Sequence, residues 1–226
     1  MKSVIATLLM VTLIAAAGCE NSTSTMIPHF TLVRPGVGSE FVFRRMYWDT
    51  NNVLVQNYLD TEVVYKSGIS FAGKDSVIVM SSIHDTSLQF PIYYNYEPNG
   101  DFDDYSDVPG VRDGWRTYPI ATGGSTTFIQ EDTTLYDTTT GVTQNVQRDF
   151  FLTYEKDTSL VEAGQSMNAI DILFQAGDEY SLQNFRADIW IAPSIGMEIR
   201  TVEIIYPPYP QDYSRWEFDL VSYTLK

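Results

Sequence analysis

The residues best suited by type and spacing to chemistry lie in an acidic stretch at residues 98–107. Four of its side chains carry oxygens of the kind that Ca²⁺ takes as ligands: Asn99, Asp101, Asp103 and Asp107. Their alternation resembles the start of an EF-hand loop, but Asp104 stands where that loop needs glycine and Gly110 where it needs a glutamate. The sequence excludes an EF-hand and leaves two readings open, an irregular calcium site and a solvated acidic loop, of which the loop is favoured.

Other catalytic or metal-binding patterns are weak. His29 and His84 are the only histidines, and neither has an acidic or cysteine partner at the spacing that zinc sites use. Serine-nucleophile motifs are absent, and the Gly36-Val37-Gly38 run lacks the third glycine of a dinucleotide-binding loop. The 29 acidic residues supply many carboxylate pairs, yet nothing marks two of them for glycoside hydrolysis. We therefore expect a protein without catalytic activity.

Aromatic side chains are abundant, with 15 tyrosines and four tryptophans: Trp48, Trp115, Trp190 and Trp216. They could form a sugar-stacking platform or line an apolar cavity. Aromatic residues more often serve as core and cross-strand pairs, and we favour that interpretation.

The only cysteine, Cys19, follows a segment with the features of a secretory signal. Residues 4–17 are almost wholly apolar, which is too short for a bilayer core that needs roughly 20 helical residues. Lys2 provides the positive start, and small residues precede the cysteine. The sequence Ala16-Ala17-Gly18-Cys19 resembles the lipobox of bacterial lipoproteins, although that pattern prefers leucine where Ala16 stands. The alternative is an ordinary secreted protein with a free thiol.

The lipobox resemblance implies that Cys19 carries a diacylglycerol and further acyl chains such as palmitate. Two or three such chains form a stable membrane anchor. Glu20 differs from the aspartate of an inner-membrane retention signal, which implies the outer membrane, on its periplasmic or cell-surface face. We predict a signal peptide at residues 1–18, a lipidated cysteine with a polar tether at 19–28, and a single β-rich ectodomain at 29–226.

Composition limits the partners. The formal net charge is −15, and it becomes −16 when Lys2 is removed with the signal. Such an acidic surface disfavours nucleic acid and anionic lipid head groups. Hydrophobic residues make up 44% of the chain, which is ample for a folded core. With its one cysteine acylated, the protein has no disulfide to stabilise that core.

Period-two alternation of apolar and polar residues predicts an all-β protein. The apolar run 77–80 indicates a strand buried on both faces, and 165–175 is favoured as a strand over a helix at 167–176. Residues 157–164 are expected to form a loop, and no repeat of fixed period is visible. About ten or eleven strands at hairpin spacing predict an antiparallel meander that forms a half-open or closed barrel, or a strongly curved sheet. The strands are expected at 40–48, 53–66, 77–80, 88–96, 115–120, 126–137, 142–155, 165–175, 180–191, 197–206 and 216–225.

A second resemblance lies at residues 190–198, Trp-Ile-Ala-Pro-Ser-Ile-Gly-Met-Glu. This stretch is similar to the aromatic-x-Ala-Pro-x-Ile-Gly hairpin of uncharacterised β-rich envelope lipoproteins. The resemblance implies a fold like that of the lipoprotein carriers, a half-open barrel with a concave apolar face, and it supplies no catalytic residues. In physical terms the motif is a structural turn, in which Pro193 fixes φ and Gly196 can adopt positive φ.

Together these features predict a lipid-anchored envelope protein with a non-catalytic binding role. The favoured ligand is apolar or lipid-like and lies in the concave sheet, in a cavity of a few hundred Å³. The alternatives are a structural or protein-interaction module, which needs an exposed apolar patch or a free strand edge, and carbohydrate binding. Calcium is the only cofactor that the sequence leaves open.

Overall fold

The computed structural model describes residues 30–83, 91–106, 114–137, 141–176, 185–205 and 214–226. These residues contain twelve β-strands and no helix. The strands are β1 (Glu40–Trp48), β2 (Leu54–Phe71), β3 (Lys74–Ser82), β4 (Ile92–Tyr96), β5 (Phe102–Ser106), β6 (Gly114–Tyr118), β7 (Ser125–Asp137), β8 (Val142–Glu162), β9 (Gln165–Ala176), β10 (Phe185–Ala192), β11 (Met197–Ile205) and β12 (Arg215–Thr224).

All twelve strands belong to one antiparallel sheet, in the order β6-β5-β4-β3-β2-β1-β12-β11-β10-β9-β8-β7. The first strand pairs with the last, from Glu40 opposite Thr224 to Trp48 opposite Arg215. The sheet thereby curls into a nearly closed barrel whose one unsealed seam lies between the edge strands β6 and β7. The predicted all-β antiparallel meander is confirmed, with twelve strands instead of ten or eleven.

The two halves of the chain, β1–β6 and β7–β12, follow the same plan. Each is a six-stranded meander whose second and third strands form a long hairpin, β2–β3 or β8–β9. Both hairpins turn through an Ala-Gly pair at positive φ, with φ 46 and 82 at Ala72 and Gly73 and φ 50 and 73 at Ala163 and Gly164. Other residues recur in the same order: Asp49-Thr50 and Asp137-Thr138, Gln56-Asn57 and Gln144-Asn145, Trp115 and Trp216. The spacing between matching residues grows along the chain, which is why no fixed period is visible in the sequence.

One end of the barrel is closed by the segment that leads into β1. In this leading segment, residues 30–39, the Val33 N–H donates to the Pro193 carbonyl at 2.9 Å and the Gly36 N–H donates to the Lys226 carbonyl at 3.2 Å. The Lys226 N–H donates to Ser39 Oγ at 3.0 Å. Strand directions place the β1–β2 turn at the opposite end, which we call the open end, although the connections that follow β3, β5, β9 and β11 lie outside the described residues.

The apolar core fills the barrel interior towards the closed end. Alternating residues of each strand point inward, so that Phe41, Val64, Met80 and Ile191 meet there almost fully buried. Other buried members of this core are Ile78, Phe102, Tyr118, Ile120, Leu152, Ile170, Ile172, Ile189, Ile195, Met197, Ile199 and Leu220. This half of the interior is occupied by the protein's own side chains.

The two long hairpins also cover parts of the outer surface of the sheet. The tip of β2–β3 lies over β4–β6, where Phe71 stacks on Tyr93 with ring centroids 3.7 Å apart and Trp115 Nε1 donates to the Ala72 carbonyl at 3.0 Å. The tip of β8–β9 reaches β12, where the Ala163 N–H donates to the Leu220 carbonyl at 3.0 Å. The outer faces beneath these tips are therefore buried by the chain itself.

The structure corrects two loop predictions. Strand β5 lies inside the predicted acidic loop at 98–107, because its aspartates are neutralised by cations from other strands, which short-range patterns do not show. Strand β8 continues to Glu162 through the predicted loop at 157–164. Two predictions are confirmed: residues 165–175 lie in a strand, and the run 77–80 is at most 1% exposed at each position.

Candidate functional site

The barrel interior changes character towards the open end, where charged and hydroxyl-bearing side chains replace the apolar core. These side chains lie on seven strands and point inward, because residues alternate along each strand and each member is paired with an inward residue of a neighbouring strand. We call this group the polar cluster, and it consists of Arg45, Asp60, Glu62, Ser82, Tyr94, Asp104, Arg116, Tyr118, Glu198, Thr201 and Glu203.

The first part of the polar cluster is built on β1, β2 and β3. Arg45 donates through Nε to Asp60 at 2.7 Å and through Nη2 to Glu62 at 2.5 Å. Ser82 Oγ donates to the other Asp60 oxygen at 2.5 Å. Burial outweighs the attraction of Arg45 and raises the pKa of Glu62 to about 7. A carboxyl group that would be fully ionised in water thus titrates near neutrality inside the barrel.

The second part joins β5 to β6. Arg116 holds Asp104 with two parallel hydrogen bonds, one of them from Nε at 2.7 Å, in the bidentate geometry that favours guanidinium–carboxylate pairs. Tyr118 also donates its hydroxyl to Asp104, at 3.2 Å. The Arg116 guanidinium lies 5.6 Å from the ring centre of Phe174, across the interior on β9. This contact ties β6 to the opposite half of the barrel.

The third part comes from β11. The Thr201 hydroxyl donates to Glu198, whereas Glu203 forms no hydrogen bond or ion pair with the described residues. Burial is the main cause that raises the pKa of both glutamates to about 7. The polar cluster can therefore hold or release protons near neutral pH and can bind a group that offers hydrogen-bond donors or positive charge.

Three of the residues predicted to bind calcium, Asn99, Asp101 and Asp103, are described, and their side chains have other partners. Asp101 accepts from the Ala121 and Thr122 N–H groups at 2.8 and 3.1 Å and so links the β4–β5 and β6–β7 turns. Asp103 lies on the outer face of β5, where it binds Lys74 at 2.6 Å. Asn99 hydrogen-bonds to Asp101, and Asp107 lies outside the described residues. In the described ranges no group of three or more metal-binding side chains comes together, and calcium binding stays a prediction.

The remaining predicted positions divide between the barrel and the undescribed residues. Pro193 and Gly196 lie in the β10–β11 turn, where Gly196 has φ 68 and its carbonyl accepts from the Tyr96 hydroxyl at 2.7 Å. Cys19, His29 and His84 lie outside the described residues, so the lipidation site remains a prediction from sequence.

A second candidate surface is the outer face of β1 and β2, which neither hairpin tip covers. On β2 the residues Leu59 and Tyr65 are 50% and 42% exposed, and they alternate with the inward Asp60, Glu62 and Val64. Beyond them, Val53, Leu54 and Val55 are exposed next to the β1–β2 turn. A groove of about 540 Å³ runs along this face, lined by Glu40, Val63, Tyr65, Ser81, Ser82, Ile83 and Pro91. We call this surface the uncovered face.

A second groove, of about 490 Å³, lies at the closed end between the β8–β9 and β10–β11 turns. Its walls include Phe30, Met167, Pro193 and Tyr223 together with polar residues of the β8–β9 turn. Neither groove lies on the concave inner face of the sheet, where the sequence predicted a ligand cavity.

Sequence reasoning did not identify the polar cluster. Its members are single acids and arginines at inward positions of ordinary alternating strands, and they come together only through pairing across the sheet. One signal was present: Arg45, Glu62, Arg116 and Glu198 stand where the alternation calls for an apolar residue. An inward charge in an otherwise regular strand is the mark that would have located the cluster.

Comparison with known proteins assigns no family to this chain. No family model matches the chain, and no curated protein does. Within the described residues, no helix is long and apolar enough to cross a membrane. Among solved structures, the chain is similar to the crystal structure of a protein described as a lipoprotein from Parabacteroides distasonis ATCC 8503, with 13% identity and a TM-score of 0.47. The match covers 86% of this chain and 99% of that one, and at this distance it carries no assignment of function.

Proposed function

We propose that this is a lipid-anchored protein of the cell envelope with a non-catalytic binding role, and that it binds a partner protein through the uncovered face. The observation that carries the proposal is the contrast on the outer surface. Over β4–β6 and β10–β12 the chain buries the sheet under its own hairpin tips, whereas Leu59, Tyr65 and Ile83 stay 42–55% exposed. Contiguous exposed apolar surface on a folded protein is typical of an interaction site.

The shape of the groove favours a protein over a small apolar ligand. Ligand pockets bury most of the surface of the molecule that they hold. Here the apolar walls, Tyr65 and Ile83, are themselves about half exposed, and the barrel interior at the closed end is filled by side chains. An acyl chain would remain largely in water, whereas a partner's apolar side chains would be covered by the rest of the interface.

The net charge of the protein indicates which surfaces a partner should present. With a net charge of −15, the protein attracts basic surfaces and repels acidic ones. We therefore expect the partner to present an apolar segment flanked by lysine or arginine. The membrane anchor at Cys19 and location at the outer membrane belong to the same proposal, supported by the lipobox in the sequence.

The proposed anchor would join the barrel at its closed end. Phe30 leads into the closed end, and about eleven residues separate it from Cys19, a span of at most ~40 Å when fully extended. The open end and the turn next to the uncovered face point away from an anchor at that position. A tether of this length keeps the barrel close to the membrane and leaves the uncovered face, on the side of the barrel, accessible to a partner.

A photocrosslinking experiment tests the partner proposal. A photoreactive amino acid at Leu59 or Tyr65 of the full chain in cells should give a discrete protein adduct. The same group at Val161, which is 74% exposed on the tip of β8–β9, should give none. The Leu59→Asp substitution should abolish the adduct formed from Tyr65. Lipid adducts instead of protein adducts would favour the apolar ligand, and equal labelling at all three positions would contradict a specific site.

The anchor is tested separately. A Cys19→Ser variant should leave the membrane fraction and fail to incorporate labelled palmitate, because the thiol is the atom that carries the lipid. The control is Ser22→Ala in the same tether, which should change neither result. Retention of the Cys19→Ser variant in the membrane would contradict the lipoprotein assignment.

A further inference from the structure

The groove between the β8–β9 and β10–β11 turns, which we call the closed-end groove, is built from four elements. Its eight wall residues come from the leading segment, the start of β9, the β10–β11 turn and β12. The five turns at this end of the barrel are all described, whereas the connections that are wholly or partly undescribed follow β3, β5, β7, β9 and β11 at the open end. Its volume of about 490 Å³ lies within the range of small-molecule sites, roughly 300–1,000 Å³.

Hydrogen bonds between these elements hold the walls of the closed-end groove in place. The Val33 N–H donates to the Pro193 carbonyl at 2.9 Å and fixes the leading segment against the β10–β11 turn. Gln165 Nε2 donates to the Tyr223 hydroxyl at 2.9 Å and joins the start of β9 to β12. A ligand that enters this space does not have to order the chain around it, which lowers the cost of binding.

The walls of the closed-end groove carry no charge. None of the eight wall residues is acidic or basic, although 19% of the chain is charged and the net charge is −15. The groove on the uncovered face differs, since Glu40 lines it. A charged ligand loses hydration when it binds and needs an opposite charge to offset that loss. The closed-end groove therefore selects an uncharged ligand.

The same walls offer several groups that both donate and accept hydrogen bonds. Gln165 and Asn168 carry amides, and Ser166 and Ser194 carry hydroxyls. The side chains of Asn168 and Ser194 form no hydrogen bond with the other described residues. The Tyr223 hydroxyl accepts from Gln165 and keeps its own proton to donate. A purely apolar ligand would cover these groups without giving them a partner, which costs free energy.

The start of β9 adds main-chain groups to this wall. Strand β9 pairs with β8 along its whole length, but its ladder to β10 begins only at Ile170, opposite Ile191. On that side, the main chain of residues 165–169 has no strand partner among the described residues, and residues 165–168 line the groove. Main-chain N–H and C=O groups need hydrogen-bond partners. A peptide running along this edge would have to pass the contact between Gln165 and Tyr223, whereas a compact ligand rich in hydroxyl groups would not.

Two aromatic rings complete the site. Phe30 and Tyr223 line the groove, and both are partly buried and packed against the apolar core. A sugar ring carries hydroxyl groups around its edge, which donate and accept, and C–H groups on its faces, which pack against apolar rings. We propose that the closed-end groove binds a neutral saccharide, with hydroxyl groups on Asn168, Ser194 and the edge of β9 and a C–H face against Phe30 and Tyr223. The site is separate from the uncovered face, so it stands whether or not a partner protein binds there.

Nuclear magnetic resonance of the full-length protein, isotope-labelled at its methionine methyl groups, tests the site. The detergent must lack a sugar head group. Met167 lines the groove and is assigned by Met167→Leu, whereas Met80 lies fully buried in the core and is the internal control. Cellobiose or N,N′-diacetylchitobiose should shift the Met167 signal until it saturates and leave the Met80 signal unchanged. The tighter of these two neutral disaccharides shows whether the site takes plain or N-acetylated sugars.

Hexanediol controls for general solvent effects, because it carries hydroxyl groups on an apolar chain without a sugar ring. It should leave the Met167 signal unchanged at the concentration that saturates the shift with a disaccharide. An equal shift with hexanediol would overturn the proposal, and so would the lack of a saturable shift with both disaccharides. This comparison uses the unaltered protein, so it holds even if a variant fails to fold.

Variants assign the binding to named residues. Asn168→Ala should weaken binding of the disaccharide about five-fold, since it removes one hydrogen bond. Tyr223→Leu should weaken it about ten-fold, because it removes the ring and the hydroxyl but keeps an apolar side chain against the core. The matched control is Asn57→Ala, the same change at an exposed position of β2 outside the groove, which should leave the affinity unchanged. An equal loss in the control, or no loss in either groove variant, would overturn the proposal.

Discussion

The two halves of the barrel use one backbone plan with different side-chain chemistry. In β1–β6 the covering hairpin tip is held by aromatic rings, with Phe71 stacked on Tyr93 and 5.0 Å from Tyr105, together with one cation, Lys74, which binds Asp103 at 2.6 Å. In β7–β12 the equivalent tip is held by charge. There Arg200 binds Glu217 at 2.6 Å and lies 3.7 Å from Glu162 on the tip. The comparison shows that the same arrangement of strands and turns can be kept with different side-chain contacts between the hairpin tip and the sheet.

The halves also differ in how the leading segment meets them. The β10–β11 turn of the second half is pressed against Val33, whereas the β4–β5 turn of the first half lies beside the neighbouring β6–β7 turn and Phe30 at the start of the segment. A glycine lies at the contact in both, Gly196 and Gly100, and both have positive φ. These two positions allow the halves to be compared by the same substitution.

The largest effect is expected for Gly196→Ala. A Cβ at this position would lie 1.6 Å from the Val33 carbonyl oxygen, so the leading segment must move, and the backbone has φ 68. We expect a loss of about 4 kcal/mol in the free energy of unfolding by urea, because a main-chain contact and a strained φ act together.

Two further glycines serve as graded controls for that measurement. Gly100→Ala should cost less, since its Cβ would approach a side-chain atom, Ala121 Cβ, at 2.9 Å. Gly68→Ala has positive φ but open space around it and should cost only about 1 kcal/mol. Equal losses at all three positions would mean that the contact with Val33 adds nothing to backbone strain.

A second pair of substitutions removes, one at a time, the contact that holds each hairpin tip against the sheet. Phe71→Ala should lower the unfolding free energy by about 2–3 kcal/mol through lost ring packing. Arg200→Met should lower it by a similar ~2–3 kcal/mol, because Glu162 is left without its cation and Glu217 keeps only Arg215. Only the second loss should shrink in 1 M salt, which screens repulsion between carboxylates.

The matched control for Arg200 is Arg186→Met. Arg186 pairs with Asp188 at 2.8 Å with its side chain half exposed, and such pairs contribute little. Chemical denaturation with urea at low and high salt measures all three variants. If the Phe71→Ala loss also depended on salt, the proposed difference between the halves would be wrong.

A smaller effect is expected when the pH is changed, and the resulting loss of stability should also differ between the two halves. The pKa values of Glu62, Glu198 and Glu203 are raised to about 7 by burial, above the ordinary value of 4.5. The folded protein therefore keeps protons that the unfolded chain releases. Their contribution to stability is fully present below pH 4.5 and is lost as the pH rises through 7.

We expect the unfolding free energy to fall by about 1–2 kcal/mol between pH 5 and pH 8. Because two of the three glutamates belong to β11, hydrogen exchange should accelerate with pH more in β10–β12 than in β4–β6, beyond the intrinsic dependence of exchange. Glu198→Gln should flatten the profile. A stability that is constant or increases over this range would contradict the burial of these groups.

The sequence was informative where local pattern decides structure. The apolar run 77–80 and the alternation at 165–175 are set by residues close in the chain, and both are strands. Strand β5 could not be predicted, because Asp103 and Asp104 are acceptable in a strand only with Lys74 and Arg116 opposite them. The same holds for the polar cluster, whose members lie on strands far apart in sequence. The recurring Ala-Gly turns were visible in the sequence but lie at unequal spacing, so a search for a fixed period passes over them.

The pairing of β1 with β12 has a consequence for how the protein is made. Within each six-stranded meander every strand pairs in the sheet only with its neighbours in sequence, and the hairpin tip packs on strands of the same half, so each meander can assemble as soon as its own stretch of chain is available. The ladder between Glu40 and Thr224 cannot form until the C-terminal strand has been delivered. Completion of the barrel is therefore the last event of its biogenesis, and a chain truncated before residue 215 would leave both β1 and β11 with exposed edges.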